Sequence, residues 1–183
     1  MSYCLLPVTV AAMPAITTQP MQTQKICVGG SVPTPLTVVY TGGAGIPTYQ
    51  WYSSATKTNM GGTAILFGGN SLTFTPLPKA LPDTEYYNLV VSFTGSNCTS
   101  ITSDTAEVIV VADPTVTDPV PATQPVCQYE TPITLSVTAS GGIGALYNYQ
   151  WYSNTVTNNS GGTLITGATG HTYVPLTTSP GKL

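Results

Sequence analysis

Few residues here could do chemistry beyond packing: four Cys, one His and seven acids in 183 residues. Cys4, Cys27, Cys98 and Cys127 contain no Cys-x-x-Cys pair, and none has a neighbouring His. A tetrahedral metal site of Cys and His therefore has no support in the spacing. His171 stands alone beside a candidate strand. No Ser lies in a Gly-x-Ser-x-Gly elbow, which a hydrolase nucleophile on a strand-to-helix turn would use. Asp83 and Glu85 sit two apart ahead of a strand and read as a solvated loop. Asp104 and Glu107 give no sign of the facing carboxylates that acid–base work requires. Asp113 and Asp118 would leave calcium short of its six to eight oxygens. Catalytic, cofactor and metal residues are all expected to be absent, and the chain reads as non-catalytic.

Composition narrows the partners. Charged residues make up 6% of the chain, against roughly 25% in an ordinary soluble domain. Its four Lys (25, 57, 79 and 182), with no Arg, are scattered. Nucleic acid and acidic membrane surfaces both demand clustered cations, so neither is an expected partner. No apolar run approaches the length of a membrane helix. Residues 4–16 are apolar, but Pro7 and Pro14 interrupt them and no basic segment precedes them, so they do not read as a signal peptide. There are 32 Thr, 18 Gly and 16 Pro. Thr suits a solvated strand face, and Gly and Pro punctuate turns, so many short strands are predicted.

These elements recur. Tyr49-Gln50-Trp51-Tyr52-Ser53 returns as Tyr149-Gln150-Trp151-Tyr152-Ser153, and Gly61-Gly62-Thr63 as Gly161-Gly162-Thr163. Gln24 and Cys27 return as Gln124 and Cys127, and Thr73-Phe74-Thr75-Pro76 matches Thr172-Tyr173-Val174-Pro175. A period of about 100 residues signals a tandem array. Residues 1–12 are expected to be the tail of one unit, 13–112 a complete unit and 113–183 the truncated start of the next. Strands are predicted near Ile16 and over 36–40, 48–53, 63–67, 72–75, 86–93 and 105–111, because apolar residues alternate there between turn signals. Tyr87, Leu89, Val91 and Phe93 should point inward. Residues 113–121, rich in Pro, read as an extended, stiff linker. Seven short strands around a central Trp predict an all-β chain of tandem immunoglobulin-like sandwiches, with Trp51 and Trp151 as core pins. Tyr52 and Tyr152 face the other way, where they either pack across strands or contact a ligand.

This string of Gln-x-x-Cys, Tyr-Gln-Trp-Tyr-Ser, Gly-Gly-Thr, Thr-aromatic-x-Pro, Tyr-Tyr and a late Cys resembles the Ig-like tandem repeats of giant Bacteroidetes cell-surface adhesins, flavobacterial gliding-motility adhesins among them. The resemblance implies export by type IX secretion, an outer-membrane-attached location outside the cell, and a filament that binds external surfaces or polysaccharide. Partners would be neighbouring repeats and, through other parts of the protein, the secretion and motility machinery. Disulfides persist outside the cell, and Cys27 and Cys98 fall in one unit, so a bridge tying one end of the sandwich is expected; two free thiols are the alternative. Asp104-Thr105-Ala106 resembles the tripeptide at which these bacteria attach O-glycans, making Thr105 a candidate; an unmodified strand start is the alternative. Two functions from different classes stand at this point: a structural, adhesive filament repeat, or a carbohydrate-binding module of a secreted surface protein or hydrolase.

Overall fold

The computed structural model describes residues 9–144 and 146–178. It divides into two compact units, Met1–Ala112 and Asp113–Leu183. Among the described residues every regular element is a strand, and no helix is long and apolar enough to cross a membrane.

In the first unit the strands are β1 (Ala15–Thr18), β2 (Thr23–Cys27), β3 (Leu36–Thr37), β4 (Val39–Thr41), β5 (Ile46–Ser54), β6 (Thr63–Ala64), β7 (Thr73–Phe74), β8 (Asp83–Thr94), β9 (Ile101–Thr102) and β10 (Ala106–Val111). One sheet has the order β2-β10-β8-β5-β6, with β9 also on β8. The opposing layer pairs β1 with β4 and β3 with β7. β3 and β4 flank Val38, whose N–H leaves the ladder for Leu72 O (3.0 Å). This is an immunoglobulin-like sandwich. Its core lies between the layers: Leu36, Val38 and Phe74 on one side meet Trp51, Leu89, Val91, Val108 and Val110 on the other. β8 supplies most of the wall, because Tyr87, Leu89 and Val91 alternate onto the core face and are buried, with Phe93 packed at the margin.

Several elements differ from the sequence reading: β9 was not predicted, and the strand expected over 36–40 is split into β3 and β4, which pair with β7 and β1. β2 was not predicted, yet it pairs in parallel with all but the first residue of β10, from Glu107↔Thr23 to Val111↔Cys27. Its inward positions are Gln24 and Ile26, and a buried Gln breaks the apolar alternation that marks a strand. The stretch 113–121 is not simply a linker. Thr115–Val116 forms β11, which pairs with β13 (Ala139–Ser140), and Val120 bridges to Ser136. Thr115-Val116 stands one hundred residues after Ala15-Ile16, so the opening strand of the second unit lies inside the Pro-rich segment.

The second unit repeats the early pairings of the first. β12 (Leu135–Ser136) pairs with β16 (Thr172–Tyr173), and β14 (Tyr152–Ser153) with β15 (Thr163–Leu164). Among its described residues no counterpart of β8 or β10 is present. Trp151 is accordingly half-buried, whereas Trp51 has no exposed surface.

Candidate functional site

The repeated motifs turn out to be one structural device, built the same way twice. Trp51 donates Nε1–H to Ser71 O (2.8 Å) and stacks on Phe74 at 5.9 Å and 33°. Trp151 donates to Gly170 O (2.8 Å) and stacks on Tyr173 at 5.6 Å and 32°. The Thr-aromatic-x-Pro strand thus supplies the ring that the Trp packs on. Gln50 Nε2 clamps the carbonyls of Trp51 (2.8 Å) and Ile65 (2.9 Å), and Gln150 does the same to Trp151 (3.0 Å) and Ile165 (2.8 Å). Gly61 and Gly161 hold positive φ, at 78° and 72°, where side chains are disfavoured. A Cβ on Gly62 would meet Ser53 O at 2.7 Å. The Gly-Gly-Thr turn therefore exists so that backbone can lie against the end of the Trp strand.

A second clip joins β2 to the next loop. Gln24 Nε2 donates to Thr34 O (2.8 Å) and Gln24 Oε1 accepts from Thr34 N (3.1 Å). Gln124 makes the same pair with Ile133, at 2.8 and 2.7 Å. Sequence reasoning saw both Gln pairs recur without reading their roles. The signal was the recurrence itself, a Gln returning at the same place in both units.

At the start of β8 a small ionic network forms. Lys79 Nζ reaches Asp83 Oδ2 (2.5 Å) and Glu85 Oε2 (2.6 Å), and Tyr87 OH donates to Glu85 Oε2 (2.7 Å). The Lys79 hydrogen bond holds the Asp83 carboxyl below its ordinary value. Burial opposes ionisation of Glu85, but hydrogen bonds from Lys79, Tyr87 and Ser53 outweigh it and lower its pKa. Burial, then the Glu85 hydrogen bond, pushes Tyr87 far up. At the margin of the core a hydrogen bond to Tyr49 (3.4 Å), with burial, raises Tyr40 to about 12. Among the described residues, no three His, Cys, Asp or Glu side chains gather as they would around a metal ion.

The expected Cys27–Cys98 bridge does not form, and both are free thiols. Cys27 pairs with Val111 beside the start of β8, whereas Cys98 lies past its end, with Sγ accepting from Ala44 N (3.2 Å). The 12 residues of β8 separate those ends by roughly 36 Å at about 3.3 Å per residue. A disulfide needs Cα atoms within about 7 Å. Cys127 is free and exposed; Cys4 lies outside the described residues. His171 is exposed, its ring 6.3 Å from that of Tyr149.

Tyr52 lies on the outer face of the larger sheet, opposite Asn88 of β8. Tyr152 occupies the matching place in the second unit and is exposed. Along the outer face Ser54, Tyr86, Glu107 and Thr23 form one row across four strands. Glu107 accepts from Tyr86 OH (3.1 Å) and Thr23 Oγ1 (3.2 Å), and that bond raises the Tyr86 pKa. Thr105, half-buried, sits in the bend between β9 and β10. It borders an open cleft of about 460 Å³ lined by Gln22, Lys57, Thr58, Asn59, Asp104 and Thr105. The structure thus brings Thr105 near Lys57 and Asn59, a grouping that the sequence reading did not contain.

Residues 16–112 match the family described as "Domain of unknown function (DUF8696)". The chain belongs to this family. No curated protein matches this DUF8696 chain. Among solved structures, the fibronectin(III)-like modules of Clostridium thermocellum CbhA are similar at 15% identity, covering 88% of this chain and 77% of that one, with a TM-score of 0.37. At that score the likeness carries nothing about function.

Proposed function

We propose that the chain is a run of structural, adhesive repeats from a long cell-surface filament, non-catalytic in itself, that serves surface attachment. The observation that carries this reading is the double construction of one scaffold: the Trp indole bond, the Gln clamp and the Gly-Gly-Thr turn recur about one hundred residues apart in the two units. A scaffold rebuilt at fixed period suits a chain whose work is to extend and present surface. Low charge and abundant Thr give that surface a neutral, hydroxyl-rich character. The finer assignments rest on the family resemblance: export by type IX secretion, gliding motility, anchorage at the outer membrane and an O-glycan on Thr105. Antibodies raised against the chain test the reading on intact source cells. They should label unpermeabilised cells and reduce attachment to glass. Labelling that requires permeabilisation, or surface labelling with attachment unchanged by the antibody, would overturn it.

A further inference from the structure

We infer that the Asp113–Pro114 peptide bond is a scission site of the folded chain, cut in mild acid with the Asp113 carboxylate as the nucleophile. The inference does not rest on the adhesive reading.

The chemistry needs two adjacent residues, a proton and water. An Asp side-chain oxygen reaches its own backbone carbonyl carbon by closing a five-membered ring. At Asp113–Pro114 that attack forms a cyclic anhydride and breaks the C–N bond. The Pro114 nitrogen takes a proton from the acid and leaves as the amine. Water then opens the anhydride and leaves Asp113 with a new C-terminal carboxyl. Proline is what lets the nitrogen leave: its bond is a tertiary amide, more basic at nitrogen than other peptide bonds. Of the four Asp in the chain, Asp83 and Asp104 precede Thr, and only Asp113 and Asp118 precede Pro.

The structure separates these two bonds. Both Asp and both Pro are exposed. Asp113 is the first residue of the second unit, ahead of β11. Among the described residues, neither Asp113 nor Pro114 makes a hydrogen bond. Asp118–Pro119 is instead held from both sides. Thr117 N donates to Thr138 O (2.9 Å), and Thr117 Oγ1 accepts from Thr138 N (3.0 Å). Val120 N donates to Ser136 O (2.9 Å), and Val120 O accepts from Ser136 N (3.0 Å). During the attack the carbonyl carbon becomes tetrahedral and the Pro ring swings aside. The 113–114 bond can do this with the fold intact, whereas 118–119 must first open its flanking hydrogen bonds.

Acid strong enough for this step leaves the fold standing. With four Lys, one His and no Arg, protonating the carboxyls builds little positive self-repulsion. Among the described residues the ion pairs are those of Lys79 with Asp83 and Glu85, so no cation is paired with Asp113 or Asp118. The Lys79 pairs are partly exposed, and such pairs contribute little. The first unit has Met13–Pro14 at the matching place, which lacks a nucleophile and serves as an internal control.

The test is incubation of the full 183-residue chain at about pH 3, below the ordinary Asp range, at a temperature under its melting transition. Intact-mass spectrometry follows the products, and circular dichroism follows the fold in the same buffer. Fragments 1–113 and 114–183 should appear about ten times faster than those from 118–119. That ratio corresponds to about 1.4 kcal/mol, the scale of opening two backbone hydrogen bonds. In guanidinium chloride at the same pH the two bonds should break at similar rates. Asp113→Glu, an exposed change that enlarges the ring to six members, should suppress the first cut while keeping the second and the native spectrum. Equal rates in the folded chain, faster cutting at 118–119 or a ratio that persists in guanidinium chloride would overturn the inference. So would undiminished 113–114 cutting in D113E, comparable cutting at 13–14, or loss of the native spectrum at this pH.

Discussion

Trp51 and Trp151 occupy the same place in the repeat, but replacing them should have different costs. Trp51 is fully buried, stacks on Phe74 and donates to Ser71 O. Truncating a buried aromatic residue to Ala costs about 3–5 kcal/mol, combining lost transfer energy with a cavity. For a unit of this size each kcal/mol moves the melting temperature by roughly 4–8 °C, so Trp51→Ala should lower the main transition by roughly 12 °C or more. Against a total stability of about 5–15 kcal/mol, that is a large share of what holds the first unit folded. Trp51→Phe separates the terms. It keeps much of the ring but strands the Ser71 carbonyl, for about 1–3 kcal/mol plus a smaller cavity. Trp151 makes the same indole bond but is already half in water, so Trp151→Ala should lose only about 1–2 kcal/mol of burial. Scanning calorimetry of the full chain and both Ala variants measures this. Equal shifts for the two, or a Trp51→Ala shift of only a degree or two, would refute the argument from burial.

Other expectations follow from single contacts. Gln24→Ala should cost about 1–3 kcal/mol in urea melts, because it leaves both Thr34 backbone groups unpaired, while Gln124→Ala, at an exposed clip, should cost under about 1 kcal/mol. The Asp83 and Glu85 pKa values are lowered on folding. Their contribution is therefore present above the ordinary values, 3.8 and 4.5, and is lost as pH falls through the lower folded values; Lys79→Met should flatten that acid limb in melts below about pH 4.5. At neutral pH the same variant should cost less than about 1 kcal/mol, since the pairs are partly exposed and screened. Non-reducing peptide mapping after mild oxidation should recover no Cys27–Cys98 peptide; finding it in the folded chain would contradict the placement of the two thiols at opposite ends of β8.

Much of the fold was legible in the residues. Period-2 alternation in Tyr87, Leu89, Val91 and Phe93 marked the wall of the core, and a Trp amid short strands marked its centre. Those signals survive in a bare sequence because side-chain direction in a strand is local: neighbours point to opposite faces whatever the rest of the chain does. The same locality put Tyr52 and Tyr152 on the outer face, opposite in sense to Trp51 and Trp151. It also hid β2, because Gln24 is buried only by virtue of a partner ten residues away.

What the sequence alone determined about this protein is the all-β class, the repeat and the residues that pack it. Tertiary structure decided which ends meet. Whether Cys27 and Cys98 are neighbours depends on the direction in which β8 runs between them, and sequence separation carries no information about that. The polar cleft likewise joins residues 22, 57–59 and 104–105. They share no period and no motif, and they come together only because β10 lies between β2 and β8 while the β5–β6 loop folds onto Asn88 and Ser103. Local pattern sets the face a side chain occupies; only the pairing of distant strands sets its neighbours.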